Sequence, residues 1–159
     1  RIRDGMPVWG TCAGLILLAR EIIGEPPHLG LMDITVRRNA FGRQSDSFAE
    51  TVEIPAFGPS ATPLVFIRAP WIESAGPEAE VLCTLHGHIV AARQQNMLVT
   101  SFHPELTDNL NVYRYFRMAD CWNHSIPLPQ RSLRKKRLFI QTQAAMRTWS
   151  ISTSAWLFV

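Results

Sequence analysis

Short apolar or alternating runs, bounded by turn residues, predict a series of β-strands in the first two thirds of the chain. Residues 48–54 alternate between apolar and polar, as an antiparallel strand does. Two of the runs flank a His86-Gly87 pair, which predicts a hairpin with a tight turn. The predicted strands lie at residues 7–9, 31–36, 48–54, 64–67, 80–85, 88–92 and 97–102.

Two segments have a helical pattern instead. Residues 13–23 form an apolar run that Gly24 closes, with two prolines just beyond it as a stop. A second helix is predicted from Asp108, as its N-cap, to about residue 119. Leu110, Tyr113 and Phe116 lie on or near one face of that helix. Strands interleaved with helices in this way predict an α/β fold.

The junction between the first strand and the first helix carries the pentapeptide Gly-Thr-Cys-Ala-Gly at residues 10–14. This is the pattern of a nucleophile elbow, with Cys12 where many hydrolases carry serine. Small neighbours allow the backbone to bend and a substrate to approach, and the helix N-terminus favours the thiolate. A small buried core cysteine explains the pentapeptide alone equally well.

A candidate base for Cys12 stands about 90 residues later, at the end of the strand predicted at 97–102. There His103 is followed by Pro104 and Glu105. A thiol nucleophile needs a base within hydrogen-bonding reach, and the base needs a group that orients it. His103 and Glu105 can fill these roles if both strand ends meet at one edge of a parallel sheet, where α/β active sites gather.

The two motifs together, Gly-Thr-Cys-Ala-Gly and Phe-His-Pro-Glu-Leu, resemble those of the triad-type glutamine amidotransferases. Further strings narrow the resemblance: Pro-His-Leu-Gly-Leu at 27–31, Arg-Asn-Ala-Phe-Gly-Arg-Gln at 38–44, Asp-Ser-Phe at 46–48 and Val-Phe-Ile-Arg-Ala-Pro at 65–70. They are similar to the glutaminase subunits of pyridoxal 5'-phosphate synthase, the PdxT/SNO family. The similarity extends from about residue 5 to about residue 120.

The resemblance implies a class I glutamine amidotransferase-like, flavodoxin-like fold of three layers. It also implies hydrolysis of L-glutamine to L-glutamate and ammonia by a Cys-His-Glu triad of Cys12, His103 and Glu105. The ammonia would pass to a synthase subunit that builds pyridoxal 5'-phosphate (vitamin B6). The Ala13 N–H would serve in the oxyanion hole beside the nucleophile, and no cofactor or metal is implied.

The same resemblance assigns substrate contacts to Arg38, Ile67 and Arg68. An arginine fork suits a ligand carboxylate, and a backbone group at a strand end can hold an amino group. Without the resemblance, solvated surface charge is the simpler interpretation of both arginines.

We expect the chain to be an N-terminally truncated version of the family domain that lacks its first strands. Only six residues precede the strand before Cys12. The family uses a Gly-Gly-Glu-Ser string to contact glutamine and to complete the oxyanion hole, and this sequence contains no such string. Loss of one oxyanion donor typically costs ~10²–10³ in rate. The alternative function is therefore a truncated, catalytically inactive fragment or relic that retains only the partner-binding surface.

Charge divides the chain in two. Residues 121–159 hold 6 of the 16 basic residues and none of the 13 acidic ones, so residues 1–120 carry 10 basic and 13 acidic residues, a net charge of −3. We therefore predict a glutaminase domain at 1–120 and a divergent basic tail at 121–159 that is disordered or poorly packed. We interpret this tail as a translated intron or a frame-shifted end, and its Arg-Lys-Lys-Arg run at 134–137 as an RNA- or partner-binding patch only in a minority interpretation.

The remaining features exclude several classes. Three cysteines without a Cys-x-x-Cys pair argue against a disulfide scaffold or zinc knuckle and favour a reducing, cytoplasmic compartment. His86 and His88 lie two residues apart without a third metal ligand nearby, so we predict no metal site. No run of ~18 apolar residues predicts a membrane span.

Overall fold

The computed structural model describes residues 1–40 and 47–118, together with the backbone of two later strands. The strands are β1 (Val8–Thr11), β2 (Ala19–Ile22), β3 (Met32–Arg37), β4 (Phe48–Val52), β5 (Thr62–Phe66), β6 (Trp71–Ala75), β7 (Glu80–Leu85), β8 (His88–Gln94), β9 (Met97–Thr100), β10 (Leu138–Thr142) and β11 (Ala155–Phe158). The helices are α1 (Ala13–Leu18) and α2 (Asn111–Arg117), with 3₁₀ turns at Pro55–Phe57 and Pro104–Leu106.

Nine strands form one mixed sheet in the order β11-β10-β1-β9-β8-β6-β3-β2, and β7 pairs with β8 beside this path. Strands β10, β1 and β9 run parallel to one another, as do β2 and β3, whereas the other pairs are antiparallel. Strands β4 and β5 form a separate two-stranded sheet. The parallel β1–β9 pair has the predicted arrangement, because it places residues 12 and 103 just beyond neighbouring strand ends.

Apolar side chains cover both faces of the main sheet. Consecutive residues Val8 and Trp9 of β1 are fully buried on opposite faces. The Val8 face packs against α1 through Leu15 and Leu18. The Trp9 face packs against α2 and the small β4–β5 sheet, through residues such as Phe116. The sheet is thus the middle of three layers, as predicted.

The predicted helix at 13–23 is too long. The helix ends at Leu18, and Ala19 has extended dihedrals of φ −59° and ψ 138°. Strand β2 follows at once and pairs in parallel with β3. An apolar run cannot by itself distinguish a buried strand from a helix, and here pairing with β3 decides the outcome.

The second helix also begins later than predicted. It starts at Asn111, and the Asn109 side-chain oxygen accepts the Asn111 N–H at 2.8 Å. Asp108 is therefore not the N-cap. The described helix ends at Arg117, two residues before the predicted end.

The hairpin and most strands agree with the sequence pattern. His86 and Gly87 turn the β7–β8 hairpin with φ of 50° and 79°, the left-handed values that a tight turn needs. Strand β6 was not predicted, because its sequence Trp-Ile-Glu-Ser-Ala does not alternate regularly between apolar and polar residues. Two segments of the predicted basic tail form β10 and β11, while residues 119–137, 143–154 and 159 lie outside the described residues. Among the described helices, none has the length and apolarity needed to cross a bilayer.

Gly10 allows α1 to lie directly against β1. A Cβ atom on Gly10 would stand 2.6 Å from the backbone carbon and oxygen of Gly14. Since backbone atoms cannot rotate away as a side chain can, the strand-to-helix turn tolerates no larger residue at position 10.

We expect Gly10→Ala to lower the free energy of unfolding by about 3 kcal/mol, the upper range for overpacking. Gly24→Ala is the matched control, because Gly24 has open space around it and only a positive φ of 85°. The control should cost about 1 kcal/mol, through backbone strain alone. Urea unfolding midpoints measure both values, and equal losses would contradict the proposed clash.

Candidate active site

Cys12 occupies a strained turn between β1 and α1. Its φ of 48° and ψ of −102° lie outside the regions that non-glycine residues favour, a strain of order 1–3 kcal/mol. The Cys12 N–H donates to the Thr100 carbonyl at 2.8 Å, and the Cys12 carbonyl accepts the Leu15 N–H at 3.1 Å. The parallel ladder and the helix together hold this strained turn in place, as the elbow pattern predicts.

The structure brings the three predicted catalytic residues together in one row. His103 follows β9, whose Thr100 is the ladder partner of Thr11 in β1. The His103 Nδ1 lies 2.7 Å from the Glu105 Oε1, and the same ring is hydrogen-bonded to the Cys12 thiol. Since Nδ1 is bonded to Glu105, Nε2 is the ring nitrogen that remains for Cys12. Cys12 is 9% exposed and His103 7% exposed.

Two opposing effects determine the charge of His103. Burial by itself lowers the pKa of the ring, because it penalises the charged form. The hydrogen bonds and electrostatic interactions with Cys12 and Glu105 outweigh that effect and raise the pKa of His103 to about 9. The ring therefore holds a proton at neutral pH and lies between the Cys12 sulfur and the Glu105 carboxylate.

This raised pKa predicts a pH dependence of stability. The pKa of His103 rises from 6.5 to about 9 on folding, so its contribution is complete below pH 6.5 and is lost as the pH rises through 9. We expect the free energy of unfolding to fall between pH 6.5 and 9 more steeply in the wild type than in His103→Gln. Urea unfolding at several pH values gives both curves, and parallel curves would contradict the assigned charge. Cys83, whose pKa burial raises to about 11, contributes equally to both proteins.

A further set of residues holds the His103 segment in place, and the sequence analysis did not predict this role for them. The His103 N–H donates to the Val65 carbonyl of β5 at 2.8 Å. The indole of Trp9 donates to the Thr100 hydroxyl at 3.1 Å. Tyr113 of α2 packs edge-on against Trp9, with ring centroids 5.2 Å apart, and burial and the nearby Glu105 charge raise the pKa of its hydroxyl. The apolar pattern indicates that Trp9 faces the core, but no local signal predicts these partners.

The predicted substrate residues lie on segments tied to this row by backbone hydrogen bonds. Ile67 and Arg68 follow Val65, the acceptor of the His103 N–H, and Arg68 has a left-handed φ of 44°. The Ala40 N–H donates to the Ala69 carbonyl at 3.1 Å and so joins the segment after Arg38 to the segment after Arg68. No hydrogen bond links the side chains of these residues to the triad in the described structure.

The Arg38 guanidinium is engaged elsewhere. Its Nη1 lies 2.9 Å from both carboxylate oxygens of Glu25, in a pair that is about half exposed at Arg38. Ala13, the predicted oxyanion donor, is the first residue of α1, and its N–H has no acceptor within the helix.

The two hairpin histidines have other partners. The His86 Nε2 lies 2.5 Å from the Glu50 carboxylate, and the His88 ring stacks on Trp71 with centroids 3.5 Å apart. Within residues 1–40 and 47–118, no group of three or more His, Cys, Asp or Glu side chains could hold a metal ion.

Comparison with known proteins agrees with this geometry. The sequence profile of the SNO glutamine amidotransferase family matches residues 1–121. A solved structure described as a glutamine amidotransferase superposes with a TM-score of 0.69 at 45% sequence identity, covering 75% of this chain and 64% of that one. The shared fold is thus of the glutamine amidotransferase type.

Curated relatives share this similarity over part of their length. The chain is 58% identical over 113 residues to the pyridoxal 5'-phosphate synthase subunit PdxT of Moorella thermoacetica, covering 70% of this chain and 60% of that protein. It is 56% identical over 112 residues to PdxT of Caldanaerobacter subterraneus, covering 70% and 59%. The chain therefore spans about three fifths of the length of these relatives. Because the family profile matches most of its residues, the chain belongs to the SNO glutamine amidotransferase family.

Proposed function

We propose that this chain hydrolyses L-glutamine to L-glutamate and ammonia, and that Cys12, His103 and Glu105 carry out the reaction. The observation that carries the proposal is the row of thiol, imidazole and carboxylate, in which the His103 ring is hydrogen-bonded to Glu105 on one side and interacts with Cys12 on the other. A nucleophile, a base and an orienting acid in this order are what amide hydrolysis through a covalent intermediate requires.

In the first half of the proposed reaction, the Cys12 sulfur attacks the side-chain amide carbon of glutamine. The thiol proton resides on His103, whose raised pKa keeps the ring protonated at neutral pH. That proton moves to the amide nitrogen as the carbon–nitrogen bond breaks, ammonia leaves, and a γ-glutamyl thioester remains on Cys12. Glu105 keeps the ring in the productive tautomer through its 2.7 Å bond to Nδ1.

In the second half, His103 is neutral and accepts a proton from a water molecule. The resulting hydroxide adds to the thioester carbon, the carbon–sulfur bond breaks, and glutamate is released. The Cys12 sulfur and the protonated His103 are thereby restored. The Ala13 N–H, at the first position of α1, would donate to the oxyanion in both halves.

The assignment of Arg38, Ile67 and Arg68 to substrate binding is part of the same proposal. It is supported by the backbone links from Val65 to His103 and from Ala40 to Ala69. In this arrangement an arginine fork would receive the α-carboxylate of glutamine. Arg38 would have to share its charge with Glu25 or move from it.

The relatives are named as subunits of pyridoxal 5'-phosphate synthase. We therefore propose the synthase subunit of that enzyme as the partner of this chain, and as the acceptor of its ammonia. A buried thiol suits a reducing compartment, which supports a cytoplasmic location.

The test is release of glutamate from L-glutamine by the chain, alone and with the synthase subunit. We expect release that rises when the synthase is added and that Cys12→Ala eliminates. The proposed activity would be refuted if the wild-type chain, shown by circular dichroism to be folded, released glutamate no faster than Cys12→Ala does. A rate unchanged by the synthase would refute only the proposed partner.

A further inference from the structure

A buried hydrogen-bond chain connects the nucleophile strand to the histidine strand. The Trp9 indole N–H donates to the Thr100 hydroxyl at 3.1 Å, and that hydroxyl lies 3.3 Å from the Phe102 carbonyl. All three residues have no exposed surface. A hydroxyl has one proton, and because Thr100 accepts from the indole, its own proton can be given to Phe102.

The Phe102 carbonyl belongs to the peptide unit that also contains the His103 N–H. On its oxygen side this unit accepts from Thr100, and on its nitrogen side it donates to the Val65 carbonyl at 2.8 Å. A peptide unit is planar, so two hydrogen bonds on opposite sides fix its rotation about the chain. This holds the N and Cα atoms of His103 in place and so limits the directions in which its side chain can leave the backbone.

We infer that Thr100 is a positioning residue for His103, which orients the imidazole toward Cys12 by holding the peptide unit that precedes it. The inference rests on the proposed function, since it assumes that the Cys12–His103 pair is reactive. Displacements of about 1 Å in such a pair can cost ~10²-fold in rate. A hydroxyl two residues before the strand end can therefore matter without touching substrate.

The ladder provides a matched control. Thr11 is the direct partner of Thr100 in the β1–β9 pair and is equally buried. Its hydroxyl makes no hydrogen bond within the part of the chain that the structure describes. Valine has nearly the shape of threonine, so Thr100→Val and Thr11→Val remove the same atom at neighbouring sites, but only the first breaks the hydrogen-bond chain.

The experiment measures the rate at which iodoacetamide alkylates Cys12, located by peptide mass, from pH 5 to 10. The charged or titratable groups that face His103 are Cys12 from the elbow and Glu105 from its own turn, and all variants retain both. We expect Thr100→Val to slow alkylation at pH 7 about tenfold and to move the pH profile toward that of an ordinary thiol. Thr100→Ser, which restores the hydroxyl, should stay within about twofold of the wild type, as should Thr11→Val.

The possible results separate the positioning role of Thr100 from the proposed activity of the chain. A Thr100→Val protein that folds, by near-ultraviolet circular dichroism, and keeps the wild-type profile overturns the inference while leaving the proposed function standing. Failure of Thr100→Ser to restore the profile also overturns it, because the effect would then come from packing. An ordinary thiol profile in the wild type overturns the proposed function itself, and the inference with it.

Discussion

Replacing Cys12 by alanine is expected to reduce glutamine hydrolysis by at least about 10⁴-fold, to the level of the uncatalysed background. The proposed reaction passes through a thioester on the Cys12 sulfur, and no other described group could take its place. Cys83, the other described cysteine, is buried, and burial raises its pKa to about 11. Glutamate release measured with the synthase subunit gives the comparison.

Cys83→Ala is the control for Cys12→Ala. It removes a buried thiol of the same size from β7, on the Trp9 face of the sheet and outside the triad. We expect it to lower stability slightly and to leave the rate within about twofold of the wild type. Residual activity of Cys12→Ala close to that of Cys83→Ala would show that another group supplies the nucleophile.

His103→Gln is expected to have the second largest effect, a loss of about 10³-fold or more. The change removes the group that accepts the thiol proton and later delivers it to ammonia. Glutamine can still donate a hydrogen bond to Glu105, so the loss reports on proton transfer more than on folding. The rate of glutamate release and the pH profile of Cys12 alkylation measure the two consequences separately.

His86→Gln is the matched control for His103→Gln. His86 lies at the hairpin turn, is mostly exposed, and pairs with Glu50. The same substitution there should leave both the rate and the alkylation profile within about twofold of the wild type. If both variants behave alike, His103 is not the base.

The sequence predicted the centre of the site because its signals are local. A strand that stops at small residues, followed by cysteine and an apolar helix, indicates an elbow at Cys12. His103 and Glu105 are two residues apart, so their pairing required only a turn between them. The expectation that both strand ends meet at one edge of a parallel sheet followed from a general property of α/β sheets, and the structure confirms it by pairing β1 and β9 in parallel.

The errors arose where tertiary pairing decides local structure. Residues 19–23 have the composition of a helix end, yet residues 19–22 form β2, because β3 offers a parallel partner. The bonds from Trp9 to Thr100 and from His103 to Val65 join residues 91 and 38 positions apart. No periodicity in one segment can specify a partner so distant, so the supports of the site emerged only from the folded chain.

The pairing of Arg38 with Glu25 is a similar case. Arg38 stands just beyond β3 and Glu25 just beyond β2, and the parallel pairing of these strands brings both to one edge. The sequence could mark Arg38 as a carboxylate-binding residue only through a family string. It could not indicate that the Arg38 guanidinium already pairs with a carboxylate of the same chain, that of Glu25.

The most direct test of the triad is the site at which a chloroketone analogue of L-glutamine modifies the chain. Such a compound carries the glutamine recognition groups and forms a stable bond with an activated thiol. Intact mass and peptide mapping would give the number and position of the adducts. We predict one adduct, on Cys12, that excess L-glutamine prevents and that His103→Gln slows about 100-fold. Modification of Cys83 at a comparable rate, or labelling of Cys12 that L-glutamine does not prevent, would contradict the account.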